Sequence, residues 1–157
     1  MLEIERKFKV KNKNFKSEAY TSQRITQAYL NSNPARSVRI RIKGDQAFIT
    51  IKGLPDQEGT TRLEWEKEIS IMEAETLLPL CEPGSIDKTR YFIEANELVY
   101  EVDEFYGANE GLVIAEIELT HADQPFFKPS WLGEEVTGQN KYYNSQLITQ
   151  PYNSWEL

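Results

Sequence analysis

The chain has 157 residues, with 18 Lys and Arg against 25 Asp and Glu and a formal net charge of −7. That balance excludes a broad electrostatic footprint for nucleic acid or an anionic membrane, though a local basic pocket can still lie inside an acidic protein. The length fits one domain, residues 1–157, with a full core, and a single cysteine, Cys81, excludes a disulfide framework or a thiolate zinc cluster. Cys81 reads as a small buried apolar residue. No apolar run reaches the length of a membrane span and the N-terminus lacks the apolar stretch of a secretory leader, so the expected location is the cytoplasm.

In chain order, residues 2–10 (LEIERKFKV) alternate as a strand, which places Glu3, Glu5 and Lys7 on one face and Ile4, Arg6 and Phe8 on the other. Two carboxylates and an ammonium on one ridge suit a cation, an anion, or both. The polar piece KNKNFKSEAY reads as a loop or short helix, and QRITQAYL resumes extended structure until NSNPA breaks it. RSVRIRIKGDQAFITIKG reads as a hairpin turning at Gly44-Asp45. In TRLEWEKEIS, Arg62, Glu64, Glu66 and Glu68 alternate with Leu63, Trp65, Lys67 and Ile69. Ser70 and Glu73 form a capping box that opens a helix over 71–82, ended by Pro83-Gly84. Three strands follow, IDKTRYFI, LVYEVDEF and GLVIAEIELT; the aromatic, proline-broken tail from Asp123 reads as short helices and loops packed on the sheet. About eight hairpin-connected strands imply mostly antiparallel pairing in an α+β, mainly β fold, whether open sheet, sandwich or barrel.

Sorting the strands by parity collects the charges. One face carries Glu3, Glu5, Lys7, Arg39, Arg41, Lys43, Lys52, Arg62, Glu64, Glu66, Glu68, Lys88, Arg90, Glu101, Asp103, Glu116 and Glu118; the other is largely apolar. A solvated sheet face produces the same alternation. Two details favour a site: cations and acids segregate onto different strands, and Arg dominates the cationic pairs, which suits bidentate phosphate contact. If the charged face were the inside of a closed barrel, its charges would need partners, because burying an unpaired ion costs several kcal/mol. A linear polyphosphate with divalent metal would satisfy both signs of charge.

The ordered set Glu3-x-Glu5-x-Lys7, Arg39-x-Arg41, Lys52, Glu64-x-Glu66, Lys88-x-Arg90, Glu101-x-Asp103 and Glu116-x-Glu118 resembles that of the CYTH proteins, or triphosphate tunnel metalloenzymes. The tail WLGEEVTGQNKYYN is similar to the C-terminal stretch of short bacterial members, so the resemblance spans essentially the whole chain. It implies a closed eight-stranded antiparallel β-barrel, a tunnel with a few helices packed outside, and hydrolysis or cyclisation of a triphosphate with one or two Mg²⁺ or Mn²⁺ ions. Carried over, Lys7, Arg39, Arg41, Lys52, Lys88 and Arg90 bind the triphosphate. Glu3, Glu5, Glu118 and Glu116 hold the first metal, while Glu64, Glu66, Glu101 and Asp103 support a second metal or its waters. Glu66 or Asp103 orients the attacking water. Tyr29 matches a tyrosine placed beside the Lys7 position, where it would orient that lysine, or else it lines the barrel as an aromatic with no catalytic part. Glu68, Lys43 and Arg62 share the face without a motif position.

The resemblance favours an inorganic triphosphatase cleaving tripolyphosphate to diphosphate and phosphate. Adenylate cyclase, thiamine triphosphatase and a non-catalytic polyphosphate or nucleotide sensor stay open. The expected partner is a small-molecule triphosphate, not nucleic acid or membrane, and a homodimer is left open. Lone His121 reads as a surface residue, and Trp131, Phe126 and Phe127 read as packing rather than a nucleobase platform. With no Walker A or G-x-G-x-x-G sequence, phosphate is not expected at a helix N-terminus.

Overall fold

The alternating strands close on themselves. The computed structural model describes residues 2–155 and runs β1 (Leu2–Val10), α1 (Phe15–Glu18), β2 (Thr21–Asn31), β3 (Arg36–Lys43), β4 (Gln46–Gly53), β5 (Thr61–Ile69) and α2 (Ile71–Leu77), then β6 (Ile86–Ala95), β7 (Leu98–Phe105), β8 (Val113–Glu118), β9 (Leu132–Glu135) and α3 (Asn144–Thr149). Eight strands pair in the order β5-β4-β3-β2-β6-β7-β8-β1, all antiparallel, and β1 returns to β5 through Leu2↔Leu63, Glu3↔Arg62 and Ile4↔Thr61. Closure abolishes both sheet edges. The turns are short and chemically apt: Lys43↔Gln46 leaves Gly44-Asp45 with Gly44 at φ +58°, and Ala95↔Leu98 leaves Asn96-Glu97, both at positive φ as a type I′ turn requires.

Two details depart from the expected elements, and the expected capping box is present. The tail contains a ninth strand, β9, which pairs with β1 through Phe8↔Glu135 and Val10↔Leu132, beyond the stretch of β1 that β5 occupies. The capping box of α2 is present in both directions, Glu73 N to Ser70 Oγ at 3.0 Å and Ser70 N to Glu73 Oε1 at 2.9 Å. The α-helix stops at Leu77, however, and Leu78–Leu80 tighten into a 3-10 turn around Pro79, well before Pro83.

The apolar face points outward, and most of it is covered. Trp131, Tyr100, Phe15, Ile93, Val102 and Ile117 form one cluster in which α1 and the 126–132 segment lie over β1, β8, β7 and β6. Trp131 Nε1 donates to Glu18 Oε1 and Tyr100 Oη donates to the Phe127 carbonyl, so both polar tips are satisfied. Packing is thus the role of Trp131, whereas the Phe127 side chain is exposed. A second cluster packs α2 on β3 and β4 through Ile40, Ala47 and Ala74, with Cys81 only half-buried at its margin. His121 is exposed.

A third cluster lies on the same strand face as the charges: Ile86, Phe105 and Ile114 meet Leu147, Val136 and Tyr142 from the tail. One end of the barrel is therefore stopped by α3. α1 and α2 pack outside as expected, but α3 fills the barrel's end. The approach to it is held by Gly59 and Gly138, whose backbones touch so closely that a Cβ on Gly59, at φ +78°, would fall on the Gly138 backbone.

Candidate active site

Because each strand alternates, barrel closure turns the charged ridges of all the strands but β2 into one cavity of ≈190 Å³. Its wall holds the eight cations Lys7, Arg39, Arg41, Lys43, Lys52, Arg62, Lys88 and Arg90 and the seven carboxylates Glu3, Glu5, Glu64, Glu66, Glu101, Glu116 and Glu118, with Tyr143, Asn144 and Ser145 contributed by the tail. Glu68 is exposed and contributes nothing to this wall.

The acidic side is built by β1 and β8, whose register sets Glu5 opposite Glu118 and Lys7 opposite Glu116. Burial, reinforced by Glu116 and Glu3, pushes the Glu5 carboxyl up to about 8. Burial also raises Glu118, helped by Glu3 and Glu101. Glu3 behaves oppositely: burial raises it, but Lys52 and Arg62 outweigh that and hold it at about 2. Burial alone would likewise raise Glu116, yet Lys7 at 3.4 Å and more distant cations keep it well below the usual carboxylate range. The acidic side thus gathers more carboxyl groups than its own cations hold ionised. All-carboxylate oxygen donors fit a hard divalent ion. Among the described residues no three acidic groups stand at coordinating spacing. Lys52 Nζ takes both Glu3 oxygens (2.9 and 3.1 Å), and Arg62 reaches Glu3 at 3.3 Å and Glu5 at 3.7 Å.

On β3 and β4 the imbalance reverses. Glu66 Oε2 accepts from Thr50 Oγ1 (2.7 Å) and faces the Nη2 atoms of Arg41 (3.4 Å) and Arg39 (3.6 Å). Arg39 and Arg41 each retain a buried Nε with no acceptor. Burial, with Arg39 and Arg90 adding like charge, lowers Arg41 to about 9. Donors outnumber acceptors here, the arrangement an anion completes.

Asp103 departs from its expected role. Its Oδ1 accepts from Arg90 Nε at 2.7 Å, and its Oδ2 accepts from Arg90 Nη2 at 2.9 Å and Lys88 Nζ at 2.7 Å; the residue is absent from the cavity wall. A carboxylate so occupied behind two cations positions them and is not free to hold a metal or orient water. Lys88 also donates to Asn144 Oδ1 at 2.9 Å. Burial outweighs the attraction of Asp103 and drops the Lys88 ammonium to about 7.

Tyr29 also differs from its expected setting. It lines the cavity opposite Arg39 in the β2–β3 register, while β1 and β2 lie on opposite sides of the ring of strands. The aromatic beside Lys7 is Tyr143, whose ring centroid lies 4.9 Å from Lys7 Nζ and 5.4 Å from the Arg62 guanidinium carbon. Sequence reasoning missed Tyr143, Asn144 and the role of Arg62. Parity of Arg62 with Glu64 was the one available signal; no local pattern marks a tail residue that folds back into a barrel.

A family model described as CYTH domain matches residues 1–150. An inorganic triphosphatase of Acetivibrio thermocellus is 44% identical over 155 residues, spanning 98% of this chain and 97% of that protein. An inorganic triphosphatase of Nitrosomonas europaea is 34% identical over 152 residues, spanning 94% and 97%. A crystal structure of an inorganic triphosphatase is similar with a TM-score of 0.65 at 32% identity, covering 92% of this chain and 96% of that one.

Proposed function

The chain belongs to the CYTH family, and from that membership and the cavity's charge pattern we propose that it hydrolyses inorganic tripolyphosphate to diphosphate and phosphate with Mg²⁺ or Mn²⁺. The observation that carries the reading is the pair Arg39 and Arg41, with buried acceptorless Nε groups, across the cavity from a carboxyl cluster in which burial raises Glu5 and Glu118. One half of the cavity has guanidinium donors to spare, and the other has more carboxyl groups than its cations hold ionised. The ≈190 Å³ volume favours a short inorganic chain, since pockets for drug-sized ligands measure about 300–1,000 Å³.

In this reading Lys7, Arg39, Arg41, Lys52, Lys88 and Arg90 grip the phosphate oxygens, and Asp103 fixes the last two. Glu3, Glu5, Glu116 and Glu118 would hold a divalent ion, with Glu64 and Glu101 supporting a second or its waters. Such an ion supplies charge neutralisation of the phosphates and a water of lowered pKa. Phosphoryl transfer asks mainly for positioning and electrostatic stabilisation, which a rigid barrel wall provides. Glu66, hydrogen-bonded to Thr50 and lining the cavity, would orient the attacking water.

The test is phosphate release from tripolyphosphate, ATP and thiamine triphosphate, each with Mg²⁺, Mn²⁺ or chelator, with cyclic AMP followed in the ATP reactions. Metal-dependent cleavage concentrated on tripolyphosphate supports the proposal. Cyclic AMP formation, or anion binding without turnover of any substrate, overturns it.

A further inference from the structure

Arg62 matches no motif position, yet it lies in the acidic half of the cavity, directly across the β1–β5 closure from Glu3. It bridges Glu3 and Glu5 while its guanidinium rests over the Tyr143 ring. Its side chain is 15% exposed and those of Glu3 and Glu5 are 10% and 13% exposed, so the contact is largely desolvated. These carboxylates are the ones through which β1 would hold a divalent ion. As they stand, cations of the chain's own already occupy them, Lys52 on Glu3 alone and Arg62 across both.

We propose that Arg62 is the resident counter-cation of Glu3 and Glu5, displaced when a divalent ion binds and thereby released to the phosphate chain in the same cavity. The inference rests on the metal-dependent triphosphatase reading and adds to it a coupling of metal to substrate through one side chain. A buried carboxylate pair without a cation costs several kcal/mol, so an exchange of cations avoids ever leaving it bare. A guanidinium suits the exchange because its planar fork fits carboxylate and phosphate alike. The Tyr143 ring, shared with Lys7, gives it an electrostatically favourable support.

Calorimetric titration with MnCl₂ alone, without phosphate, separates this role from a structural one. Arg62→Gln removes the one competing cation that touches both carboxylates and leaves Lys52 on Glu3, so Mn²⁺ should bind about tenfold more tightly than in the wild type, within the roughly 5–150-fold range of coupled sites. With tripolyphosphate at saturating Mn²⁺ the same variant should show KM raised about tenfold and kcat changed far less, as loss of a binding contact predicts. Arg62→Lys keeps the charge without the fork and should fall between the two, which preserves the test if Arg62→Gln folds poorly. A folded variant that binds Mn²⁺ no more tightly than the wild type overturns the role of Arg62. A wild type that neither binds Mn²⁺ nor cleaves tripolyphosphate overturns the triphosphatase reading instead.

Discussion

Replacing Asp103 with Asn is expected to lower the melting temperature by about 6–20 °C. Asp103 is 2% exposed and Lys88 1% exposed, and the carboxylate takes three hydrogen bonds from Lys88 and Arg90. Asn keeps the volume but removes the charge and turns an amide donor toward two cations. Breaking a buried ion pair by removing one partner costs about 3–5 kcal/mol. For a domain of this size each kcal/mol moves the midpoint by about 2–4 °C, which gives the range stated. Thermal and urea melts monitored by circular dichroism, without ligand, measure it directly. Because Asp103 supports Lys88 and Arg90, tripolyphosphate affinity in chelator should fall together with stability. A midpoint within about 2 °C of wild type combined with abolished turnover and unchanged anion affinity would refute the reasoning, since most destabilisations of this kind exceed that shift. Asp103 would then belong at the reacting atoms.

Two further outcomes follow from the same cavity. Tripolyphosphate binding in chelator should take up protons through Lys88: an amine lowered to about 7 is mostly neutral at pH 8 and mostly charged at pH 6, and a bound polyanion favours the charged form. Calorimetry at pH 8 in two buffers of different ionisation enthalpy should show this uptake in the wild type and less of it in Lys88→Met; identical values would remove the assignment. Leu147→Ala, at a fully buried position in the cluster that stops the barrel, should cost about 2–5 kcal/mol, seen as a lower urea midpoint with an unchanged slope.

How much of this was legible in the sequence depended on whether the signal was local. Strand parity alone assigned Glu3, Glu5, Lys7, Arg39, Arg41, Lys88 and Arg90 to one surface, because a side chain's face is fixed by its position along the strand. Parity left open which surface that was. A solvated face and a barrel interior share the pattern, and the resemblance to the CYTH proteins, confirmed by the β1–β5 closure, made the difference. The misreadings at the site are all of contacts distant in sequence, unlike the local early end of α2 at Pro79. Asp103 has the same parity as Glu101, but only the β6–β7 register, which sets it opposite Arg90, turns it from a cavity ligand into a support. Strand β9 is short, and its pairing with β1 is separated from it by most of the chain. Tyr143 and Asn144 reach Lys7 and Lys88 only because the tail folds back over Ile86 and Phe105.

The same reasoning explains why an acidic chain can hold a site for a polyanion. Eight cations against seven carboxylates nearly balance inside the cavity, so the excess of acid behind the net −7 lies elsewhere on the molecule. Exposed charges are screened over about 8–10 Å at ordinary ionic strength, whereas charges within a largely desolvated cavity are screened much less. What the ligand meets is therefore the order of charge within the barrel, and that order is polar. Arg39 and Arg41 on β3, with Glu66 as their shared acceptor, lie across the ring of strands from the Glu5–Glu118 pair where β1 meets β8. A chain with its cations and acids interspersed would have satisfied itself pairwise and offered nothing to a ligand. Segregation onto different strands leaves each half short of a partner, and a triphosphate with its divalent ion brings both partners at once.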